Sequence, residues 1–423
     1  MQINRRCVMK KEYSVFHNPD LLSDEAEQGA QEALKNLRGW QTAVDTIKTW
    51  PGYAPTPLWQ LDHRAADLGV GKIFYKDESQ RFGRKLGAFK ALGAPYTIFR
   101  ILSDIVEEKT GTRPTADQLR SGEFADLTKY ETMAVATDGN QGRGVAWGAS
   151  MFGCRAVDYI HETVSEGRKR AMEEFGAVVI RCKGEHEASA ARGKEDAAMN
   201  GWHYITSTSW DNWNEKICRD VMHGYMTTVE EALDQIPDLS KITHVFCQCG
   251  VGSIAAAVFF GFAERLGFKN LPRFIIVEPT EAACMYKSAV EGKPTPADGT
   301  MKTIQAGLAC RVPSTAAWNI HHWLCSDFVT VPDEYCAEGM RALAEETEDV
   351  PIVIGESSSG SMGLIMRLKS DNELREKLGV NEDSQLVLFA LEGATDPELY
   401  EKYVGSTPEE VFDRQDRMNA KKE

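Results

Sequence analysis

A lysine at the start of a predicted helix is the first candidate for chemistry in this chain. Lys90 follows a strand predicted at residues 72–75 and a polar loop with two glycines, and residues 91–94 are typical of a helix. An amine at the mouth of an α/β sheet can form a Schiff base with an aldehyde cofactor. Many lysines in this position only begin a helix, so this interpretation depends on the rest of the chain.

A second loop, at residues 137–144, follows apolar residues 134–136 and contains three glycines. Asp138, Asn140 and Gln141 add a carboxylate and two amides to this loop. Closely spaced backbone N–H groups of such a loop can bind a small carboxylate or phosphate. A tight turn in which Asp138 or Asn140 caps the following helix explains the same residues equally well.

A third loop lies between a predicted strand and a predicted helix and contains Gly250, Val251, Gly252, Ser253 and Ile254. Its glycines allow the backbone to approach an anion, and the helix N-terminus supplies N–H donors and partial positive charge. The glycine spacing also matches a dinucleotide-binding fingerprint with alanine in the third place. An acid at the end of the next strand, at residue 278, stands near the position of a ribose-binding acid.

Pyridoxal phosphate is the cofactor that gives all three loops a role. Lys90 would be its Schiff-base lysine, residues 250–253 would bind its phosphate, and residues 137–142 would bind the substrate carboxylate. A nicotinamide dehydrogenase would leave Lys90 and the second loop without a role. The residues therefore favour pyridoxal phosphate and keep the dehydrogenase as an alternative from another enzyme class.

Length and composition exclude several classes of protein. A chain of 423 residues suggests about two domains, and its 42% apolar and 26% charged residues are typical of a globular protein. The net charge of −15 argues against a nucleic-acid or anionic-membrane partner. No apolar run is long enough to span a bilayer, and no apolar signal segment follows the first residues.

The ten cysteines predict neither a disulfide framework nor a metal site. They include no CxxC pair and no Cys/His set with zinc spacing, so no metal is expected. Buried thiols in a reducing cytoplasm are the plainer interpretation. Cys247 and Cys249 alternate within an apolar strand, which predicts that both pack in the core.

Short apolar segments alternate with helical ones along most of the chain, which predicts largely parallel sheets covered by helices. The predicted strands are residues 72–75, 133–137, 156–160, 178–182, 243–249, 273–278, 328–331 and 385–391. The predicted helices include 144–151, 168–175, 187–199, 213–235, 254–266, 337–346 and 362–368. We expect a smaller domain at residues 94–206, inserted in a larger one formed by residues 1–93 and 207–423.

An ordered set of short motifs resembles the fold-type II pyridoxal-phosphate enzymes, the family of the tryptophan synthase β subunit. Within that family the chain is most similar to the 2,3-diaminopropionate ammonia-lyases. The segments that carry the resemblance are residues 53–58, 76–79, 81–83, 88–90, 137–140, 142–147, 250–252, 277–279, 306–310, 355–357 and 392–393. They extend over nearly the whole chain, in order.

The resemblance implies a two-domain α/β fold in which each domain is a mostly parallel, twisted sheet flanked by helices. It implies that Lys90 bonds the cofactor and acts as an acid and base, with Phe89 beside it. Asn140 would hydrogen-bond the cofactor's phenolic oxygen, and residues 250–254 would bind its phosphate by backbone amides. A homodimer in the cytoplasm is also implied.

The resemblance further implies a substrate site and a reaction. Thr137, Gly139, Asn140 and Gln141 would bind the substrate carboxylate, and Asp138 would be a second base on the cofactor face opposite Lys90. The implied reaction is α,β-elimination of D- or L-2,3-diaminopropionate to pyruvate and two ammonia molecules. One base on each side of Cα would allow both enantiomers to react.

Several residues depart from the family pattern. Arg84 and Lys85 look like an insertion, and Gln141 stands where the family has histidine. Ser207 stands where we align a family aspartate near the substrate amino group. Residues 390–391 are apolar where a hydroxyl would face the pyridine nitrogen, and Thr395 is the candidate substitute.

These departures leave alternatives open. Another amino acid with a leaving group at Cβ, such as serine, threonine, a hydroxyaspartate or a cysteine derivative, could undergo β-elimination or β-replacement. A protein that keeps the fold without activity is a further alternative. Cys284 and Cys310 lie in two family-like segments and could form a redox-sensitive pair or remain two buried thiols.

Overall fold

The computed structural model describes residues 13–23, 25–137, 139–211 and 215–420. Within these residues the chain forms two β-sheets. The strands are β1 Ser14–His17, β2 Leu58–Gln60, β3 Lys72–Asp77, β4 Thr132–Ala136, β5 Arg155–Ile160, β6 Val178–Arg181, β7 His203–Tyr204, β8 His244–Gln248, β9 Arg273–Pro279, β10 Asp327–Val331 and β11 Gln385–Ala390.

Each of the eight predicted strands is present, with ends within two residues of the prediction. The strands that the sequence did not indicate are β1, β2 and β7, which have four, three and two residues. All three lie at sheet edges. Strands as short as β2 and β7 contain too few alternations of apolar and polar residues to give a pattern, whereas β1 is as long as β6, which was predicted.

The larger sheet has seven strands in the order β1-β10-β9-β8-β11-β3-β2. Its five central strands are parallel, and only the edge strands β1 and β2 pair antiparallel with their neighbours. Successive side chains of β3 belong to opposite cores, since Phe74 packs in one and Ile73 and Tyr75 pack in the other. Helices therefore cover both faces of the sheet, as its parallel strands predict.

The smaller sheet has four parallel strands in the order β6-β5-β4-β7. These strands lie inside the range 94–206 that the sequence assigns to an inserted domain. One long helix, α4 (Lys90–Thr110), runs without a break past residue 94 and packs against helices on both sides. The division into two domains remains a prediction.

The helices are α1 Ala26–Lys35, α2 Gln41–Lys48, α3 Asp62–Leu68, α4 Lys90–Thr110, α5 Ala116–Arg120, α6 Ala125–Thr128, α7 Asn140–Phe152, α8 Glu166–Glu173, α9 His186–Asn200, α10 Lys216–Gln235, α11 Ser253–Leu266, α12 Cys284–Glu291, α13 Thr315–Leu324, α14 Asp333–Ala344, α15 Gly360–Met366, α16 Asn372–Leu378, α17 Pro397–Val404 and α18 Pro408–Asn419. The start predicted for α10, at residue 213, lies outside the described residues. None of the described helices combines the length and the apolar character that crossing a membrane requires.

Candidate active site

Lys90 is the first residue of α4, directly after the polar loop that leaves β3. The end of this loop is fixed against the segment that leaves β11. The Phe89 N–H donates to the Leu391 carbonyl at 3.0 Å, and the Gly393 N–H donates to the Gly87 carbonyl at 2.9 Å. The predicted order of strand, polar loop and helix-opening lysine is confirmed.

The beginning of the same loop is anchored by four buried charged residues, Lys76, Glu78, Arg81 and Glu231, which we call the paired-charge cluster. The Arg81 guanidinium lies 2.7 Å from the Glu78 carboxylate and 2.6 Å from that of Glu231. Lys76 Nζ donates to Glu231 at 2.8 Å. Although burial alone would raise it, Arg81 lowers the pKa of Glu78 to about 2, so this carboxylate stays ionised and holds the loop.

The amino group of Lys90 lies between two aromatic side chains. Its Nζ is 3.2 Å from the Tyr225 hydroxyl oxygen and 4.9 Å from the centre of the Phe89 ring. The two rings are buried, and their centres are 4.7 Å apart. Phe89 thus stands beside the lysine, and Tyr225 reaches it from α10.

The second predicted loop is shorter than expected because α7 already begins at Asn140. Gly139 precedes the helix as its N-cap residue, without a side-chain cap, so the alternative in which Asn140 caps the helix is wrong. The Thr137 N–H donates to an Asp158 carboxylate oxygen at 3.2 Å. Asp138 lies outside the described residues.

The side chains at the start of α7 point to a binding site. Asn140 donates one hydrogen of its amide nitrogen to Glu392, while its amide oxygen is buried without a partner among the described residues. The amide nitrogen and the amide oxygen of Gln141 are also buried without a partner among the described residues. A Cβ at Gly144 would lie 2.7 Å from the Lys90 carbonyl oxygen, so this glycine lets α7 approach the lysine.

The third predicted loop joins β8 to α11, with Gly250 and Val251 in the turn and Ser253 and Ile254 in the first helical turn. Gly252 has φ of +104°, a conformation that favours glycine, and a Cβ there would lie 2.9 Å from the Ala317 Cβ. Only glycine fits this position, and the helix N-terminus that follows it presents backbone N–H groups of the kind that bind a phosphate.

A buried histidine, His321, contacts the backbone of this loop. Burial lowers the pKa of His321 to about 4, so the ring is neutral. Its Nε2 lies 2.9 Å from the Gly252 carbonyl oxygen, which can only accept, so the proton is on Nε2. On the other side, the Ser253 hydroxyl donates to the Ser207 carbonyl at 2.7 Å. Ser207 thus lies next to the loop through its backbone.

The acid that would bind a ribose in a dinucleotide site has another partner here. The Glu278 carboxylate accepts hydrogen bonds from the backbone N–H groups of Met285, at 2.8 Å, and Tyr286, at 2.6 Å. Glu278 is fully buried, and burial raises its pKa to about 8. This carboxylate anchors the start of α12 and cannot face a nucleotide, which argues against the nicotinamide alternative.

A chain of contacts brings the third loop to the second. A Cβ at Gly250 would lie 3.3 Å from the Gly307 carbonyl oxygen, so the two backbones are close. The Gly307 N–H donates to the Ser357 hydroxyl at 2.9 Å, and the Ser357 N–H donates to Glu392 at 2.9 Å. Since Glu392 also accepts from Asn140, and the segment around it bonds the loop before Lys90, a continuous set of contacts connects the three predicted loops.

Two buried carboxyl groups, Glu356 and Glu392, which we call the carboxyl pair, line this site. Burial raises the pKa of both, and the charge of Glu392 raises the pKa of Glu356 further. Arg168 of α8 lies 3.4 Å from Glu356 and 3.2 Å from Asp396. Arg143 also interacts electrostatically with both glutamates, but burial outweighs the two guanidinium groups, so the carboxyl pair retains a proton near neutral pH.

The residues present fit pyridoxal phosphate. The Lys90 amine, the N-terminus of α11 and the Asn140 amide offer partners for an aldehyde, a phosphate and a phenolic oxygen. The buried polar atoms of Asn140 and Gln141 that have no partner among the described residues are those that a bound ligand would satisfy. The donor set therefore matches the cofactor expected from the sequence.

The departures from the family pattern are visible in the structure. Ala390 ends β11 and is buried with Leu391, so neither position offers a hydroxyl. Cys284 and Cys310 approach the same glycine, and the Cys284 thiol lies 3.3 Å from the Gly250 carbonyl oxygen. Cys247 and Cys249 are fully buried in the core as predicted, and Cys284 is buried to the same extent.

Sequence reasoning missed Tyr225, Arg168 and the roles of the carboxyl pair. Tyr225 and Arg168 lie within ordinary helices and belong to no motif. Glu356 and Glu392 stood in the family-like segments 355–357 and 392–393, but nothing local indicated that they would meet. The resemblance at these segments was the available signal for both glutamates.

The family model for pyridoxal-phosphate-dependent enzymes matches residues 49–389 of this chain. The chain belongs to this family. As a family member it uses pyridoxal phosphate and has the tryptophan synthase β-like fold predicted from its sequence.

Individual members of the family are similar over most of their length. The diaminopropionate ammonia-lyase of Salmonella typhimurium is 36% identical over 385 residues, which cover 89% of this chain and 94% of that protein. The holo diaminopropionate ammonia-lyase of Escherichia coli has a structure with a TM-score of 0.81 and 32% identity, over 93% of this chain and 96% of that one. A structure of the E. coli enzyme in complex with D-serine has the same TM-score, identity and coverage.

Proposed function

We propose that this protein is a pyridoxal-phosphate-dependent ammonia-lyase that eliminates ammonia from 2,3-diaminopropionate, leaving pyruvate and a second ammonia. The observation that carries the proposal is the meeting of the Lys90, Asn140 and Gly250 loops around one site through Glu392 and Gly307. The extent of the similarity to diaminopropionate ammonia-lyases supports the choice of substrate.

The cofactor would be held at three points. Lys90 would bond its aldehyde carbon, the free N–H of Asn140 would donate to its phenolic oxygen, and residues 250–254 would donate backbone N–H groups to its phosphate. When bound, the cofactor withdraws electrons from the substrate Cα and so allows its C–H bond to break. The protein supplies orientation and proton transfer.

The substrate carboxylate would bind at the N-terminus of α7. Backbone N–H groups of residues 139–141 and the positive end of this 13-residue helix favour an anion there, whereas the Thr137 N–H already donates to Asp158. Gln141, whose buried amide has no partner among the described residues, can donate to the same carboxylate. This contact, together with the cofactor, fixes the Cα–H bond relative to the bases.

Lys90 and Asp138 would move the protons. We propose that one of them removes the Cα proton, according to the enantiomer, and that a proton is returned to the departing β-amino group. Cleavage of the Cβ–N bond releases ammonia and leaves an enamine. Water converts the enamine to pyruvate with release of the second ammonia, so atoms and charge balance.

The substituent on Cβ is the least constrained part of the substrate. Ser207 stands where an aspartate was expected near the substrate amino group, and it contacts the phosphate loop through its carbonyl. A hydroxyl in place of a carboxylate removes a partner for an ammonium group. Serine, threonine, hydroxyaspartate and cysteine derivatives therefore stay in the substrate panel as the alternative.

The net charge and the cysteines support a proposal for the compartment and for the class of partner. The nine described cysteines form no disulfide bond with one another, which supports a reducing compartment, and we propose the cytoplasm. The net charge of −15 supports a small amino-acid substrate rather than nucleic acid or an anionic membrane as partner. A homodimer is proposed from the family alone.

Replacement of the lysine tests the proposal most directly. Lys90→Ala should abolish pyruvate and ammonia release from D- and L-2,3-diaminopropionate, a loss of at least about 10²–10⁴-fold in kcat, because it removes both the cofactor bond and a base. Lys85→Ala, which changes an exposed lysine of the same loop, is the matched control. Turnover by Lys90→Ala at the control rate would refute the assignment of Lys90.

The same assay separates the alternatives. Wild-type turnover of a β-hydroxy or β-thio amino acid, without turnover of 2,3-diaminopropionate, would assign a different substrate to the enzyme. The proposed type of reaction, elimination at Cβ, would be retained. With Asp138→Asn we expect a larger loss with the D enantiomer than with the L enantiomer. Equal losses would contradict the two-base scheme.

A further inference from the structure

A phenol hydroxyl faces the reactive atom of the proposed site. The Tyr225 hydroxyl oxygen lies 3.2 Å from Lys90 Nζ, and Tyr225 is fully buried. Residue 225 is absent from every motif in the sequence, so this contact is a product of the tertiary structure alone.

The fold places this hydroxyl by an unusually close approach of two helices, α4 and α10. A Cβ at Gly93 would lie 2.6 Å from Tyr225 Cε1, and a Cβ at Gly224 would lie 2.6 Å from the Leu92 carbonyl oxygen. Glycine on both helices therefore allows their backbones to meet one turn after Lys90. The Phe89 ring then holds the Tyr225 ring from the other side, with ring centres 4.7 Å apart.

A neutral phenol at this point can serve the amine in either of its protonation states. Burial raises the pKa of Tyr225, and the nearby Lys90 charge offsets only part of this rise, so the hydroxyl keeps its hydrogen. A hydroxyl accepts a hydrogen bond from an ammonium group and donates one to a neutral amine. The contact can thus persist while Lys90 takes up and gives back a proton.

We propose that Tyr225 is a positioning residue of the active site, which holds the Lys90 amino group in the direction of the cofactor aldehyde and the substrate Cα. The proposal rests on the proposed function of Lys90. It gives a role to the one buried tyrosine hydroxyl that contacts the first residue of α4.

Tyr225→Phe removes the hydroxyl and keeps the ring. We expect kcat for 2,3-diaminopropionate to fall about tenfold, the value of one well-formed hydrogen bond, with KM changed less than about twofold. Tyr400→Phe is the matched control, because it also removes a buried hydroxyl, one without a partner among the described residues. A uniform loss of packing would not separate kcat from KM in this way.

A second measurement does not require turnover. Cofactor-free protein is mixed with pyridoxal phosphate, reduced with borohydride at set times, and the labelled Lys90 peptide is quantified by mass spectrometry. Tyr225→Phe should label several-fold more slowly than wild type and Tyr400→Phe, and reach the same final extent. If Tyr225→Phe does not fold, Tyr225→Met replaces it, because methionine adapts to irregular cavities.

The outcomes distinguish this proposal from the one on which it rests. Equal labelling rates and equal kcat in Tyr225→Phe, wild type and Tyr400→Phe would overturn the role of Tyr225. Absence of any label on Lys90 in the wild type would overturn the proposed function itself. Slower labelling together with lower kcat and unchanged KM in Tyr225→Phe alone supports both.

Discussion

Two buried groups of charged side chains flank the candidate site, and they are built on opposite principles. The paired-charge cluster has two cations and two anions, and the Arg81 guanidinium bonds both carboxylates. The carboxyl pair has two buried acids, and the two guanidinium groups that interact with them, those of Arg168 and Arg143, are shared with a third acid, Asp396.

This difference in charge balance distinguishes a cluster that stabilises the fold from one that can hold an exchangeable proton. In the paired-charge cluster every charge has a bonded opposite charge, so the cluster fixes the loop before Lys90 and has no proton to exchange. In the carboxyl pair the excess of acid forces a proton to remain near neutral pH, next to Asn140. Unbalanced buried charge is typical of functional sites.

The largest expected effect comes from breaking the balanced cluster. Arg81→Met leaves the Glu78 and Glu231 carboxylates buried without their guanidinium, and we expect the free energy of unfolding to fall by about 3–5 kcal/mol. Denaturant unfolding followed by circular dichroism measures it. The control is Arg84→Met, since Arg84 is exposed and pairs with Asp416 at 3.3 Å. Equal losses in the two variants would show that the cluster is not a support.

A smaller effect, visible as pH dependence, should come from the carboxyl pair. Burial and the charge of Glu392 raise the pKa of Glu356 to about 8, so the folded state holds a proton that the unfolded state loses above its ordinary pKa of about 4.3. The free energy of unfolding contributed by this group is therefore full at low pH and is lost as the pH rises towards 8.

Glu356→Gln should reduce that loss. We expect its free energy of unfolding to fall by roughly 1–2 kcal/mol less than that of the wild type between pH 5 and pH 8. Urea unfolding at a series of pH values measures the difference. Glu376→Gln, on the exposed surface of α16, should follow the wild type. Parallel curves for Glu356→Gln and the wild type would contradict the shared proton.

The smallest effect is expected from an exposed ion pair, which serves as the reference for the two buried groups. Lys85 and Glu174 form an ion pair at 3.1 Å, but their side chains are 80% and 58% exposed. Lys85→Ala should change the free energy of unfolding by less than about 0.5 kcal/mol, because water screens such pairs. A loss above about 1 kcal/mol would mean that burial is not what distinguishes the paired-charge cluster.

The parts of the site that the sequence predicted are those with a local signal. Lys90 after a strand and loop, and the glycines at 250 and 252, follow from which residues can occupy turns and helix starts. The eight longer strands followed from apolar runs of five or so residues. The resemblance to a known family joined these segments into one site.

The other parts depend on contacts between distant segments. Nothing near Tyr225 indicates that glycines at 93 and 224 bring two helices together. Nothing near Glu392 indicates a second buried acid 36 residues earlier or the amide of Asn140 (252 residues earlier). Asn140 was predicted within a glycine-containing loop or as a helix cap, whereas Gly139 is the N-cap residue and Asn140 is the first residue of α7.

The long sequence separations within the site have a consequence for biosynthesis. Lys90 meets Tyr225 across 135 residues, and Asn140 meets Glu392 across 252 residues. A chain still being made on the ribosome lacks the last of these partners until residue 392 has emerged. We therefore expect the proposed cofactor site to form, and the cofactor to load, only after that part of the chain has been made.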